Sequence, residues 1–242
     1  MSRGVEGHIF DIKELTVHDG PGVRVTVFMQ GCPLRCVWCH NPEGLALEPP
    51  VRVVSAHELA AIVMKNADML TQLGGGVTIS GGEPLMQPEF LLGVLDELHP
   101  LHRVLQTSGY GDENAFAQAI ERCELVHFDL KQMCAELHSQ YTGVDNTLIL
   151  RNFERLKASG REFVVRMPMI PGVNITEAHF CAVAEVLADA GDRVSVEILP
   201  YNPFAGAKYA SCGLVYGFEP STEDVAYPLH IFENAGLAYR VL

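Results

Sequence analysis

The sequence is short of basic side chains and has no long apolar run. It has 242 residues, of which 17 are lysine or arginine and 30 are aspartate or glutamate, so that its net charge is −13. Nucleic-acid binders usually carry a basic patch, and we therefore expect no nucleic-acid partner. No apolar run is long enough to span a bilayer, and the N-terminal segment MSRGVEGHIF lacks the apolar stretch of a signal peptide. These absences predict a cytoplasmic protein that does not enter the membrane.

The cysteine count excludes a fully paired set of disulfides. The chain has seven cysteines, which is an odd number, and thiols in the cytoplasm normally stay reduced. Cys32, Cys36 and Cys39 lie together in the short segment GCPLRCVWCHNPEG, and no cysteine lies between His40 and Gly76. A metal centre or a reactive thiol explains such a cluster better than a disulfide does.

Strand and helix patterns alternate along the chain. Short β-branched runs predict strands near 24–31, 76–82, 102–109, 125–131, 162–170 and 193–201. Amphipathic patterns predict helices over 55–70, 87–99, 112–122, 147–160 and 176–191. Ser55 is the expected N-cap of the first helix, and Glu58 completes a capping box. The alternation predicts one α/β domain over 1–242 with a parallel sheet, either doubly wound or closed into a partial or full βα barrel.

A distinctive polar motif follows each predicted strand. In chain order these motifs are the cysteine loop, SGGEP (80–84), QTSGY (106–110), DLK (129–131), RMPMIPG (166–172) and LPYNPF (199–204). In parallel α/β folds the functional groups gather at the carboxyl ends of the strands. We therefore expect these motifs to form one site.

Three thiols at the spacing C-x3-C-x2-C favour a metal centre with one open position. An iron–sulfur cube has four irons that each need a ligand, so three cysteines leave one iron free for a small molecule. An open position is typical of catalytic metal sites. A zinc-stabilised interaction protein without catalysis is the alternative, and it needs a fourth ligand. His40 is adjacent to Cys39 and is poorly placed to reach the same ion, whereas His18 is distant in sequence.

The cysteine spacing, with Trp38 directly before the third cysteine and SGGEP at the end of the next strand, resembles the radical S-adenosylmethionine (SAM) enzymes. Further segments narrow the resemblance to the activating enzymes of glycyl radical enzymes, above all the pyruvate formate-lyase type: DGPGVR (19–24), FMQGCPLRCVWCHNPE (28–43), DLKQM (129–133) and IPG (170–172). This resemblance implies a partial (β/α)6 TIM-like barrel. Since no further cysteines follow His40 before Gly76, it implies a single [4Fe-4S] cluster and no ferredoxin-like insert.

The resemblance also implies a reaction and its partners. The expected enzyme is an oxidoreductase that cleaves SAM reductively to a 5′-deoxyadenosyl radical and takes a hydrogen atom from a glycine Cα of a partner glycyl radical enzyme. A flavodoxin or a ferredoxin is the expected electron donor, and we expect a monomeric activase that works under anaerobic conditions. A radical SAM enzyme that acts on a small molecule, similar to 7-carboxy-7-deazaguanine synthase, is the alternative within the same chemistry.

The roles of individual residues follow from the resemblance. The implied cluster ligands are Cys32, Cys36 and Cys39. The implied SAM contacts are Trp38, Gly81, Gly82, Glu83, Thr107, Asp129, Lys131, Arg166 and Asn202. Within that set, Glu83 is expected to face the methionine ammonium, while Lys131 and Arg166 are expected to meet the SAM carboxylate or ribose, or the incoming peptide. Asp19 is expected to contact the glycine loop of the partner.

Several positions depart from the family pattern or fall outside it. Relatives carry an acidic residue, which helps to bind a monovalent cation, where this chain has Gln106. A neutral amide attracts a cation less strongly, so the sequence speaks against that site. Relatives often have histidine at Asn202, which can still form hydrogen bonds but cannot gain a charge. The remaining cysteines are expected to be small buried or half-buried thiols rather than ligands: Cys123, Cys134, Cys181 and Cys212.

Overall fold

The computed structural model describes residues 4–223 and 225–242, and it places the strands of this part of the chain in one nine-stranded sheet. The strands are β1 (Glu6–Thr16), β2 (Arg24–Met29), β3 (Arg52–Ser55), β4 (Gly76–Gly81), β5 (His102–Thr107), β6 (Leu125–Asp129), β7 (Phe163–Met169), β8 (Val194–Pro200) and β9 (Tyr239–Val241). Their order in the sheet is β3-β1-β2-β4-β5-β6-β7-β8-β9. Neighbours from β2 through β9 are parallel, whereas β1 is antiparallel to both β2 and β3.

The six predicted strands are confirmed as β2 and β4 to β8, each to within two residues at either end. Together with the helices that follow them, they form the partial (β/α)6 barrel that the resemblance implied. Three further strands were missed: the long antiparallel β1, its edge neighbour β3, and the short β9 at the opposite edge. The sheet therefore extends beyond the six-stranded core on both sides.

The helices are α1 (Ala56–Met64), α2 (Ala67–Gln72), α3 (Pro88–Glu97), α4 (Glu113–Glu121), α5 (Ala135–Thr142), α6 (Thr147–Ala158), α7 (Glu177–Leu187), α8 (Ala205–Ser211) and α9 (His230–Asn234). The capping box is confirmed, because the Glu58 amide donates to the Ser55 hydroxyl at 3.2 Å and the Ser55 amide donates to the Glu58 carboxylate at 2.9 Å. The single helix predicted over 55–70 is wrong. Asn66 leaves the helical conformation at φ −104° and ψ 7°, and asparagine is a weaker helix former than the residues before it. None of the helices in residues 4–223 and 225–242 is both long and apolar enough to cross a membrane.

Each parallel strand of the barrel has one apolar and one polar face, because successive side chains point to opposite sides. On β6, Val126 and Phe128 belong to the main hydrophobic core, whereas His127 between them points the other way. The buried polar side chains on this inner face include Thr26, Thr78, His127, Arg166 and Glu197. The barrel therefore has an apolar layer under its helices and a polar lumen.

Candidate active site

A cavity of about 290 Å³ opens at the carboxyl ends of the parallel strands. Every motif that follows a predicted strand contributes to its wall, so the structure brings the six motifs together around one cavity. The wall includes Cys32, Cys36, Trp38, Cys39, Ser80, Gly81, Gly82, Gln106, Thr107, Asp129, Lys131, Ile170, Tyr201 and Asn202. Of the residues expected to contact SAM, only Glu83 and Arg166 lie outside this wall.

The three cysteines of the loop are half-buried free thiols. The loop is tight, since the Cys39 amide donates to the Cys36 carbonyl at 3.0 Å and the Cys32 amide donates to the Leu45 carbonyl at 3.2 Å. Burial raises the pKa of Cys32 and of Cys36 to about 12, because a thiolate without a counter-charge is poorly solvated there. A bound metal centre supplies that counter-charge and makes thiolates of these side chains.

The donor set fits an iron–sulfur cube. Cysteines that bind separate iron atoms do not have to meet at one point, whereas the ligands of a tetrahedral zinc ion do. Within the part of the chain that the structure describes, no three His, Cys, Asp or Glu side chains are grouped to hold one ion. His40 is directed elsewhere, with its Nε2 atom 3.0 Å from the Asn202 carbonyl oxygen. Three thiols that border an open cavity match a cube with one free corner.

The turn after β4 lies directly against the cysteine loop. Gly81 has φ of 113°, and a Cβ atom there would lie 2.4 Å from the backbone of Met29. A Cβ atom at Gly82 would lie 2.3 Å from the Gly31 carbonyl oxygen. The Glu83 amide donates to that same oxygen at 2.8 Å. Only glycines allow this contact, and it leaves backbone atoms rather than side chains facing the cavity.

Glu83 does not face the cavity, which corrects the expected contact between its carboxylate and the SAM ammonium. Its carboxylate accepts hydrogen bonds from the Ser108 amide at 2.8 Å, the Ser108 hydroxyl at 2.5 Å and the Thr107 hydroxyl at 2.6 Å. The residue is 1% exposed. Burial raises the pKa of Glu83, against the opposing effect of these hydrogen bonds. Glu83 therefore joins the ends of β4 and β5 and shapes the cavity from behind.

Asp129 and Lys131 form an ion pair on the cavity wall, with 2.7 Å between Lys131 Nζ and Asp129 Oδ2. Burial alone would lower the pKa of Lys131, but the neighbouring Asp129 carboxylate raises it overall, so the ammonium is retained. The other carboxylate oxygen, Asp129 Oδ1, is buried and has no hydrogen-bond partner among the described residues. Such an atom is costly unless a ligand supplies a donor. The pair therefore presents both an acceptor and a cation to a bound zwitterion.

Arg166 lies one layer below the cavity, so the expected direct contact with the SAM carboxylate or ribose is not supported. Its guanidinium donates to Gln106 Oε1 at 3.1 Å, to the His18 carbonyl at 2.8 Å and to Glu197 Oε2 at 2.7 Å. Its contact with an incoming peptide stays a prediction. Arg166 instead connects the floor of the cavity to the loop between β1 and β2.

Trp38 belongs to a small apolar cluster on one side of the cavity. It packs with Ile170 and Val173, and its ring centroid lies 6.1 Å from that of Tyr141. Asn202 lies at the exposed rim, where its side-chain oxygen accepts a hydrogen bond from the Phe204 amide at 2.9 Å. The cavity wall thus has an apolar part in addition to the charged pair.

Asp19 is placed in the barrel lumen and not at the cavity. Its carboxylate accepts a hydrogen bond from the Thr26 hydroxyl at 2.7 Å, and its carbonyl oxygen accepts one from Thr78 at the same distance. Its contact with a partner loop stays a prediction. The sequence reasoning missed Arg24, which is fully buried and donates to Thr78 at 2.7 Å and to the Val77 carbonyl at 2.6 Å. A charged residue at the start of an apolar strand was the available signal.

The four cysteines outside the loop differ from one another in exposure. Cys123 is buried, as expected, but Cys134, Cys181 and Cys212 are exposed, so the prediction of buried or half-buried thiols is wrong for these three. Cys134 donates to Glu136 at 3.1 Å. Cys181 lies on the outer side of α7, where the helix meets solvent and not the sheet.

Comparison with known proteins adds independent findings. The sequence model of the radical SAM superfamily matches residues 26–184. The chain is 32% identical to the pyruvate formate-lyase-activating enzyme of Staphylococcus aureus, over 93% of the chain and 91% of that protein. It is 31% identical to the isethionate sulfite-lyase activating enzyme of Oleidesulfovibrio alaskensis, over 84% of the chain and 86% of that protein.

Comparison with solved structures finds similar enzymes. A domain of the pyruvate-formate lyase-activating enzyme from Bacteroides vulgatus superposes with a TM-score of 0.57 at 30% identity, and the match covers 70% of this chain and 99% of that domain. A radical SAM methyltransferase from Sphaerobacter thermophilus superposes with a TM-score of 0.64 at 18% identity, over 98% of this chain and 77% of that protein. The second likeness supports the fold alone.

Proposed function

The chain belongs to the radical SAM superfamily, and on that basis we propose that it is the activating enzyme of a glycyl radical enzyme. The observation that carries the proposal is the convergence of Cys32, Cys36 and Cys39 with the Gly81–Gly82 turn and the Asp129–Lys131 pair on one cavity. Relatives with this activity match nearly the whole chain. When bound, and with one electron from an external donor, the [4Fe-4S] cluster and SAM would supply a 5′-deoxyadenosyl radical for taking a hydrogen atom from a glycine Cα of the partner.

The residues of the chain would bind the cluster and SAM, orient them, and shield the reacting atoms from water. The three thiolates would each hold one iron and leave the fourth facing the cavity. The exposed backbone of Gly81 and Gly82 suits a ligand ammonium, and Lys131 suits a ligand carboxylate. The apolar side with Trp38 keeps water from the reacting atoms.

We also propose a single cluster in a single domain. The supporting observation is that no cysteine lies between His40 and Gly76. The alignment with the Oleidesulfovibrio relative runs over 267 positions, more than the 242 residues of this chain, so that relative has extra residues that this chain lacks. The alignment with the Staphylococcus relative runs over 232 positions. This difference favours a partner of the pyruvate formate-lyase type.

The environment of Gln106 supports an enzyme that needs no monovalent cation. Gln106 Oε1 already accepts from Arg166, and Asp129 Oδ2 already accepts from Lys131. Two fixed cationic side chains thus bind two of the acceptors that a metal ion would use, while Asp129 Oδ1 stays without a partner among the described residues. The ammonium of Lys131, rather than a metal ion, neutralises the Asp129 carboxylate at this wall.

The other partner assignments rest on the resemblance. We propose a flavodoxin or a ferredoxin as electron donor, a monomeric activase in the cytoplasm, and no nucleic-acid or membrane partner. An iron corner that is open to small molecules is also open to oxygen, so the enzyme should require anaerobic conditions.

Electron paramagnetic resonance tests the proposal. The protein is reconstituted anaerobically, reduced, and mixed with SAM and purified pyruvate formate-lyase or isethionate sulfite-lyase. We expect a glycyl radical doublet on one of these partners and about four irons per chain, as a cubane requires. Cleavage of SAM without a radical on any such enzyme would point to a small-molecule substrate. A colourless protein that contains zinc would contradict the radical chemistry altogether.

A further inference from the structure

A lysine and a glutamate lie beside the segment that follows the third cysteine, and neither lines the active-site cavity. Lys208, on α8, donates to the His40 carbonyl at 3.1 Å and to Asn41 Oδ1 at 3.2 Å. His40 and Asn41 directly follow Cys39 in the chain. The carboxylate of Glu43 lies 3.8 Å from the same ammonium. No role described so far uses either charge.

The Glu43 carboxylate is only partly paired. Its Oε1 atom is at ion-pair distance from Lys208 but too far for a hydrogen bond, and its Oε2 atom is buried with no hydrogen-bond partner in the described part of the chain. A buried carboxylate oxygen without a partner costs free energy, and such groups in folded proteins often have a redox or catalytic role. Two fixed charges of opposite sign therefore lie at this end of the cysteine loop.

Both charges act on the Cys39 sulfur. Burial raises the pKa of Cys39; the Asn41 amide and the ammonium groups of Lys131 and Lys208 oppose this effect, whereas Glu43 adds to it. The same charges would act on a cluster bound to this sulfur, because the reduction potential of an iron–sulfur cluster depends on charge and hydrogen bonding around its sulfur atoms. A nearby cation stabilises the added electron, and a nearby anion destabilises it.

We propose that Lys208 and Glu43 set the reduction potential of the cluster in opposite directions, Lys208 by favouring the reduced state and Glu43 by opposing it. Neither side chain touches the reacting atoms, so both are positioning residues that act through Cys39. The step concerned is the transfer of one electron from the external donor to the cluster, in which no bond forms or breaks. The proposal rests on the cluster of the proposed function but not on the identity of the partner enzyme.

Redox titration of the cluster, followed by electron paramagnetic resonance, tests the proposal. Holoenzyme is titrated anaerobically with dithionite and redox mediators in the absence of SAM, and each variant is first checked for about four irons per chain. Because 40% of the Lys208 side chain is exposed, water screens its charge. We expect Lys208→Met to lower the ratio of reduced to oxidised cluster about threefold at the midpoint of the parent protein, which corresponds to a potential lower by about 30 mV. Glu43→Gln should raise that ratio by a similar factor.

Two controls separate charge from loop geometry. Lys208→Arg keeps the positive charge and should keep the potential of the parent protein. Lys65→Met removes an exposed lysine at the end of α1 and should also leave the potential unchanged. Loosening of the loop alone gives no reason for shifts of opposite sign at Lys208 and Glu43.

Opposite shifts in Lys208→Met and Glu43→Gln would support the proposal. Shifts of one sign, a shift at only one position, no shift, or a shift in Lys208→Arg as large as that in Lys208→Met would overturn it. If Lys208→Met does not retain its iron, Glu43→Gln decides alone, by an upward shift or by its absence. The titration needs neither SAM nor a partner, so it succeeds or fails independently of the glycyl radical assay, and only a protein without a cluster would defeat both.

Discussion

The hydroxyl of Thr107 donates a 2.6 Å hydrogen bond to the carboxylate of Glu83. This bond joins the ends of two neighbouring parallel strands directly behind the active-site cavity. A carboxylate that seemed in the sequence to be a ligand for a cation is instead an acceptor for its own protein. The cavity wall on this side is backbone, and its shape depends on a buried ionisable group.

Glu83→Gln should therefore act first on stability. The amide replaces one carboxylate oxygen by a donor that meets the donors of Ser108 or Thr107, and we expect the free energy of unfolding to fall by about 1–3 kcal/mol. Denaturant titration measures it, with the exposed Glu89→Gln as control. Unchanged stability with SAM binding weakened more than about tenfold would place the carboxylate on the ligand.

Cys36→Ala should abolish the cluster and leave the fold. The cavity wall loses one of its thiols, whereas the core under the helices is untouched, so circular dichroism should stay close to that of the parent protein. Iron content should fall well below the roughly four atoms of a cubane, and SAM cleavage should stop. The exposed Cys181→Ala is the matched control and should keep both. Loss of the whole fold would make the metal structural.

SAM binding should not depend on the identity of the monovalent cation. Lys131 and Arg166 already bind Asp129 Oδ2 and Gln106 Oε1, two of the acceptors that a cation would need. We expect Kd for SAM, measured by equilibrium dialysis, to differ by less than about twofold between potassium and tetramethylammonium buffers. Gln106→Asp adds a carboxylate at this wall, and it should introduce a dependence on potassium. A strong dependence in the parent protein would show that a cation does bind.

Acid should destabilise the protein through His179. Burial lowers the pKa of His179 to about 4 from an ordinary value of 6.5. Between these two pH values the unfolded chain therefore binds a proton at His179, whereas the native state does not. The stability that neutral His179 contributes to the native state is complete above pH 6.5 and is lost as the pH falls toward 4. Between pH 6.5 and pH 5 the free energy of unfolding therefore falls by about 1.5 kcal/mol.

Denaturant titrations at the two pH values measure this effect. His179→Gln can still accept the hydrogen bond that the Met133 amide donates at 3.3 Å, and it should flatten the pH dependence by that amount. The exposed His57→Gln should not change it. An equal slope in the parent protein and in His179→Gln would contradict the assignment.

The sequence predicted the parallel core well because its strands are buried on both faces, and on one of those faces nearly every residue is apolar. Strand β1 was missed for the opposite reason. Its sequence EGHIFDIKELT mixes charged and apolar residues, since one of its faces meets solvent, and such a pattern resembles a polar loop. Strand β9 has only three residues, too few for any periodicity.

The residues of the site likewise fall into those whose positions the sequence predicts and those whose positions it does not. The cluster ligands and the cavity-lining glycines follow from motif spacing, which is local in sequence. The positions of Glu83 and Arg166 do not, because their partners are distant: Arg166 lies 148 residues from His18. A charged side chain near a strand end has the same sequence signature whether it points into a cavity or into a neighbouring strand.

The close packing of Gly82 against Gly31 has a consequence for protein engineering. Two segments about fifty residues apart in sequence touch here through main-chain atoms, and the Glu83 amide binds the Gly31 carbonyl oxygen at 2.8 Å, so the shape of each depends on the other. Transplanting the cysteine loop into a foreign barrel would fail unless the SGGE turn travelled with it. The smallest portable unit of the cluster-binding wall is therefore a pair of adjacent strands with both of their following turns.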